Sequence, residues 1–358
     1  MRARSAARDP RRTPAGQRLS TMQLVPEPGQ NGVDNQDSVL VAGLMAGERR
    51  ALAKAITLVE STRSDHRVRA QQLLDALLPH TGRSLRVGIS GVPGVGKSTF
   101  IEALGMYLIE RGHRVAVLAV DPSSTVHGGS ILGDKTRMEL LSQRSEAFIR
   151  PSPSSGSLGG VAEHTREALL LCEAAGYDII IVETVGVGQS ETAVAGMTDC
   201  FVLLQLPNAG DDLQAIKKGI MELADLVVFN KADLDPAAAQ LAAAQMRSAL
   251  AMLHPASPNW QPPVMTLSAT RKDGLAEFWE VIEKFKSTLT ASGEFAARRR
   301  HQALAWMWQQ IDSGLRNRFR EHPAVKSALA ELSVSVEAGS TTPAAAAQRL
   351  LALVGRHF

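Results

Sequence analysis

The sequence predicts an α/β fold, a doubly wound and mostly parallel sheet with a helical flank before it and a helical extension after it. Three observations lead there. Between residues 85 and 267, short apolar runs alternate with stretches of helical spacing, the pattern of βαβ units. Ahead of them, apolar residues recur at helical spacing without a strand signal, and behind them, from Asp273 on, helical periodicity stands alone.

Taken in order, residues 1–36 form a leader that carries six arginines (Arg2, Arg4, Arg8, Arg11, Arg12, Arg18) against Asp9 in its first twenty positions. It reads as a disordered segment, with an organelle address as the alternative reading of an Arg-rich, acid-poor start. Of 39 Lys and Arg, 33 remain beyond those twenty positions against 35 acids, so the net charge of +3 belongs to the leader. The body is near neutral, which argues against a nucleic-acid surface. With 358 residues, 44% hydrophobic and 21% charged, the chain suits a globular protein with a large core rather than a fibre or a disordered polymer. Two separated cysteines, Cys172 and Cys200, support neither a disulfide framework nor a Cys-based metal site, and a reducing, cytoplasmic setting is expected. No run of 18 apolar residues occurs, so no membrane span is expected.

Residues 37–84 predict two or three helices, from Leu44, Leu52, Ile56 and Val59, then Val68, Leu73, Leu74 and Leu77. Residues 85–290 predict the sheet domain, with strands at 86–90, 114–120, 177–183, 199–206, 226–230 and 264–268. Residues 291–358 predict a helical arm broken at Ser292-Gly293, His322-Pro323 and 339–343. In a doubly wound sheet, sites lie beyond the carboxyl ends of the strands.

Directly after the first strand stands Gly91-Val92-Pro93-Gly94-Val95-Gly96-Lys97-Ser98-Thr99, a G-x-x-x-x-G-K-[ST] pattern opening a helix. The glycines let backbone N–H groups converge on a phosphate, and the helix N-terminus favours the anion. Lys97 reaches β and γ oxygens, and the Ser98 hydroxyl suits Mg²⁺. Asp121 and Glu183 each close a strand run, and both would face the phosphates if their strands flank the first one; each is otherwise a helix cap or turn residue. Glu183 with Gly186 has the spacing of a segment that holds Mg²⁺ through water and senses a γ-phosphate with a glycine amide. Asp134, in a Gly-rich stretch, fits a switch segment or a helix cap equally.

Asn230-Lys231-Ala232-Asp233 follows the strand at 226–229 and matches N-K-x-D. The Asp233 carboxylate accepts from guanine N1–H and the N2 amine, whereas adenine presents an acceptor there, so GTP is expected over ATP. Asn230 bridges loops, the Lys231 stem lies over the base, and Ser268-Ala269-Thr270 supplies a backbone N–H for guanine O6.

These segments, with 120–124, Gly133-Asp134-Lys135-Thr136-Arg137-Met138, 183–190 and Ala55-Ile56-Thr57-Leu58-Val59-Glu60-Ser61, resemble the MeaB/ArgK/MMAA family of SIMIBI-class P-loop GTPases over roughly residues 38–350. The resemblance implies a GTP-hydrolysing, Mg²⁺-dependent chaperone that gates adenosylcobalamin loading of methylmalonyl-CoA mutase, or a related acyl-CoA mutase, and protects it. Adenosylcobalamin belongs to that partner. It also implies roles for Lys97 and Ser98 at the phosphates and metal, for Asp121, Asp134 and Glu183 in the metal and switch region, and for Asn230 and Asp233 on guanine. A further switch maps to residues 207–217, with Lys217 as a partner of Glu183. A homodimer through the C-terminal helices is implied as well, where Phe295, Leu304, Trp306, Met307, Trp308 and Ile311 offer apolar surface; Arg298-Arg299-Arg300 reads as a solvated helix turn. Three rivals stand beside this: a kinase of a basic amino-acid transport system, which Asp233 opposes; a metal-insertion GTPase, which the scattered histidines oppose; and a structural module that binds nucleotide without turnover.

Overall fold

In the computed structural model, residues 35–120, 138–151, 158–184, 190–207, 218–253 and 256–354 are described. Three helices come first, α1 (Asn35–Met45), α2 (Arg49–Val59) and α3 (Ser64–Leu77). Of the apolar positions that predict them, Leu44, Leu52, Ile56, Val59, Leu73, Leu74 and Leu77 are buried, while Val68 faces outward. One periodic residue outside the stripe does not alter the packed face.

Seven strands follow in a wholly parallel sheet of order β3-β2-β4-β1-β5-β6-β7. They are β1 (Leu85–Gly91), β2 (Val115–Val120), β3 (Ala147–Arg150), β4 (Ile179–Thr184), β5 (Cys200–Gln205), β6 (Leu226–Phe229) and β7 (Val264–Thr266). Six fall on the expected runs. The seventh, β3, was not among them: Ala-Phe-Ile-Arg, on the edge of the sheet, offers three apolar residues between the charged Glu146 and Arg150, too brief a run to read as a strand. Between strands run α4 (Lys97–Ile109), the single turn α5 (Glu139–Ser142), α6 (Leu158–Ala174), α7 (Ser190–Ala195), α8 (Lys218–Leu223) and α9 (Pro236–Ala251). Asp235 caps α9 by accepting from the Ala238 amide at 3.0 Å, with Pro236 at its first position.

Strands buried on both faces explain their near-continuous Val, Ile and Leu. On one face Ile180, Val182, Leu203 and Val227 pack with α1–α3, α6 and α9 through Leu52, Ile56, Leu73, Leu171 and Met246. On the other, Val87, Ile89, Ile181 and Val228 pack with α4 and with α10 (Leu275–Ala291) through Phe100, Leu104, Phe278 and Ile282, where the Phe100 and Phe278 rings meet edge to face at 5.0 Å.

The chain ends in α11 (Glu294–Glu321), α12 (Pro323–Glu337) and α13 (Pro343–Ala352). Their breaks fall at the predicted Gly293, His322-Pro323 and 339–343, with Thr342 capping the Ala345 amide at 3.2 Å. α11 has 28 residues and none of them is buried. The reading of Arg298-Arg299-Arg300 as a solvated turn is corrected here. Arg298 makes a bidentate pair with the Asp225 carboxylate at 2.7 and 2.9 Å, and Arg299 grips the Asp199 carboxylate at 2.7 and 2.6 Å. Arg299 also donates to the Gly82 and Ser84 carbonyls. Both acids are buried at the amino ends of β5 and β6, so two of the three arginines anchor the arm beneath the sheet; only Arg300 is exposed.

Candidate nucleotide site

Beyond the carboxyl end of β1 the chain turns sharply into α4. Gly94 and Gly96 have φ of 80° and 91°, left-handed values that disfavour any side chain. At Gly91 the obstacle is space, since an added Cβ would stand 2.5 Å from the Leu204 carbonyl oxygen of β5. No side chain caps the first turn of α4, so its amides point outward with the positive end of the helix dipole. Val95 is buried beneath the turn, while Pro93 and Thr99 are exposed and Val92 and Ser98 half-buried. The Lys97 ammonium lies over the loop and donates to the Gly91 carbonyl at 2.7 Å and the Val92 carbonyl at 3.4 Å. A cation beside the uncapped amides of a helix N-terminus is an arrangement able to hold a phosphate.

β4 lies directly beside β1, and Glu183, buried near its carboxyl end, is in register with Ile89 of β1 and Ala119 of β2. Glu183 is thus a strand residue and not a helix cap. Its neighbour Thr184 donates to the Ser90 hydroxyl at 3.0 Å, which ties the end of β4 to the residue just before the phosphate loop. β2, which precedes Asp121, is separated from β1 by β4, so of these two acid-bearing strands only that of Glu183 flanks the first one. Asp121, Asp134, Gly186 and Lys217 lie outside the described residues. Among the described residues no group of three or more His, Cys, Asp or Glu side chains could cage a metal.

The second half of the site comes from the ends of β6 and β7. Asn230 is 1% exposed; its amide donates to the Val95 carbonyl at 2.9 Å, and its oxygen accepts from the Ala269 amide at 3.1 Å. This one side chain therefore fastens the loop after β7 to the phosphate loop. Packing is so close that a Cβ on Gly96 would come within 2.9 Å of the Asn230 amide nitrogen. Lys231 takes φ of 60° and reaches the Gly94 carbonyl at 2.8 Å. Asp233 is held below the ordinary carboxylate range, first by the Ser268 hydroxyl and further by Arg271, whose guanidinium lies 3.5 Å away. The Ser268 amide donates to the Asp273 carbonyl and the Ala269 amide to Asn230, whereas the exposed Thr270 amide has no protein acceptor among the described residues.

The structure therefore brings Lys97, Ser98, Glu183, Asn230, Lys231, Asp233 and residues 268–270 to one edge of the sheet. Sequence reasoning missed Ser90, buried against Thr184, and Arg271 beside Asp233. Arg271 follows the tripeptide directly and was open to notice; the Ser90 contact joins residues 94 positions apart and leaves no local trace.

Comparison with known proteins gives the family and the fold. The sequence profile of the family described as "Methylmalonyl Co-A mutase-associated GTPase MeaB" matches residues 52–324. The chain is 55% identical to "GTPase ArgK" of Escherichia coli over 275 residues, 76% of this chain and 83% of that one. It is 49% identical to the "Methylmalonic aciduria type A homolog, mitochondrial" of Mus musculus over 330 residues, 89% of this chain and 80% of that one. A solved structure titled "Crystal structure of LAO/AO transport system kinase" superposes with a TM-score of 0.72 at 41% identity, covering 90% of this chain and 98% of its own.

Proposed function

The chain belongs to the MeaB family of methylmalonyl-CoA mutase-associated GTPases, and from that premise we propose that its GTP hydrolysis serves as a chaperone switch for an adenosylcobalamin-dependent acyl-CoA mutase. The observation that carries the reading is the Asn230 clamp, which joins the base-reading loops to the phosphate loop. With both ends of the nucleotide held by one rigid edge, positioning and charge neutralisation supply most of the rate.

Each residue has a role in this reading. The amides of 91–99 and the Lys97 ammonium carry the β and γ phosphates, which draw Lys97 from the Gly91 carbonyl. Asp233, kept ionised by Ser268 and Arg271, accepts from guanine N1–H and N2, and within 268–270 the Thr270 amide, which has no protein acceptor among the described residues, answers O6. Asn230 sets the distance between the two halves, and Lys231 lies over the base. A donor set of one hydroxyl (Ser98) and one buried carboxylate (Glu183) suits Mg²⁺, a hard cation that keeps waters and phosphate oxygens as its other ligands. When bound, Mg²⁺ supplies neutralisation of the charge on the phosphate oxygens. Asp121, Asp134, Gly186 and Lys217 complete the metal and switch region in the family pattern.

The mutase as partner is supported by the family's description as mutase-associated; the cofactor adenosylcobalamin stays with that partner. The exposed Leu304, Met307, Trp308, Ile311 and Leu315 of α11 favour a homodimer joined through the arm. Among the described residues no helix is long and apolar enough to cross a membrane. Asp233 disfavours ATP and with it a transport-kinase role.

Single-turnover hydrolysis measured with and without the mutase tests the reading. Slow turnover alone and faster turnover with the mutase is the expected result, with Lys97→Ala abolishing both. Fast turnover that the mutase leaves unchanged refutes the switch.

A further inference from the structure

The side chains of α11 divide into two opposed faces, and the polar one is docked. Arg298, Arg299, Gln302, Trp306 and Gln309 project within an arc of about 100° at 3.6 residues per turn and meet the body of the protein. The exposed apolar residues lie on the other side. The docked face has two kinds of contact. Near its start, Arg298 and Arg299 form buried, charge-assisted pairs beneath the sheet, a rigid pivot. Further along, the contacts are to the end of α7 and the connection that follows it, and to α6. Gln302 donates its side-chain amide to the Thr198 carbonyl at 2.8 Å and the Ala195 carbonyl at 3.3 Å. Arg166 of α6 donates to the Gly196 carbonyl at 3.2 Å and to the Gln309 side-chain oxygen at 2.6 Å. The Ala195 carbonyl is the last of α7, one of the orphan acceptors of that helix end, and those of Gly196 and Thr198 lie in the connection from α7 to β5.

α7 is the first described element after Glu183 and Thr184, and it sits tightly on β1. A Cβ on Gly88 would stand 2.7 Å from the Thr198 hydroxyl and 2.8 Å from a Val194 methyl. A change at the nucleotide edge that displaces α7 therefore disturbs the carbonyls at and after its end that Gln302 and Arg166 hold. The junction there is not fully satisfied: Gln302 Oε1 and Trp306 Nε1, an acceptor and a donor one turn apart on α11, are both buried without a partner. Orphaned buried polar groups are costly, so a posture that pairs them competes with this one.

We propose that Gln302, together with Arg166 and Gln309, is a positioning element that transmits the nucleotide state from α7 to the C-terminal arm, turning the apolar face of α11 about its arginine pivot. The inference rests on the reading of the nucleotide site given above. The coupling is reciprocal, so docking at the apolar face alters the preference for GTP over GDP by the same factor.

Hydrogen–deuterium exchange of the full chain, bound to GDP and then to a non-hydrolysable GTP analogue, tests this. The expected result is a response at residues 91–99 together with an exchange difference of about fivefold or more at residues 294–321. In Gln302→Glu, which replaces the donating amide with a repelling carboxylate, the response at 91–99 persists and that of the arm is lost. Gln309→Ala, at an exposed position that leaves folding intact, weakens the arm response in the same direction, and Arg300→Ala leaves it unchanged. An arm that ignores the nucleotide while 91–99 responds overturns the proposal, as does a full arm response in both Gln302→Glu and Gln309→Ala. Silence at 91–99 itself overturns the nucleotide-site reading and this inference with it.

Discussion

Replacing Arg299 by alanine isolates the energetic consequence of a docked polar helix face. Asp199 is 1% exposed and accepts from Arg299 at 2.7 and 2.6 Å and from the Arg86 amide at 2.8 Å. Arg299→Ala leaves that carboxylate buried with a single backbone donor, and removes the cation that satisfied the Gly82 and Ser84 carbonyls at 2.6 Å. Breaking a buried pair in this way costs about 3–5 kcal/mol, whereas a solvated pair would cost at most about 1 kcal/mol. Unfolding entropy near 2.1 cal/mol/K per residue over about 280 described residues is roughly 0.6 kcal/mol/K, so 4 kcal/mol lowers Tm by about 7 °C and 1 kcal/mol by less than about 2 °C. Thermal melts followed by circular dichroism at fixed nucleotide concentration separate the two. The double variant Arg299→Ala with Asp199→Asn no longer buries an unpaired charge and regains about 1–3 kcal/mol relative to additivity. A shift below about 2 °C, or strict additivity in the cycle, refutes the argument that the arm is anchored by buried charge.

Three further outcomes follow from the same geometry. Asp233→Asn loses a charged acceptor and lowers GTP affinity by roughly 30- to 1,000-fold, while xanthosine triphosphate, whose 2-oxo group accepts from the new amide, gains; calorimetry with both nucleotides checks the exchange. Burial by itself would raise the Glu173 pKa, but Arg86, the Ser84 hydroxyl and the Gly82 amide outweigh it and hold the carboxyl below its ordinary value. Its stabilising contribution is therefore present above the unfolded value of about 4.3 and is lost as pH falls through the lower folded value; urea midpoints measured across that range fall on the acid side, and Glu173→Gln flattens the fall. Trp308→Glu places a charge on the exposed apolar face of α11 and converts the proposed dimer to monomer in sedimentation velocity; an unchanged dimer excludes this face as the interface.

Much of the site was legible because it is written in local segments. Each phosphate- or base-reading motif is a handful of residues after a strand, and the turn chemistry that makes it work, as at Gly94, Gly96 and Lys231, is a property of the segment itself. The alternation of apolar runs likewise announced a parallel sheet, since strands covered on both faces must be apolar throughout, and the breakers in the arm marked its helices. What the sequence by itself determined was therefore which short pieces carry chemistry and which repeating faces must be covered.

Tertiary structure alone decided what lies next to what. It set β4 rather than β2 beside β1, it admitted the edge strand β3 on the strength of its neighbour's ladder, and it let Asn230 reach across 135 residues to the Val95 carbonyl. The arginines of α11 make the point most sharply. A helix with one polar and one apolar face announces two environments but not which of them is the protein. Hydrophobic patterning assigns the polar face to water, yet Asp199 and Asp225, 100 and 73 residues away in the chain, supply buried countercharges that reverse the assignment. Partners so distant impose no periodicity on the segment they bind, and only the folded chain brings their charges together.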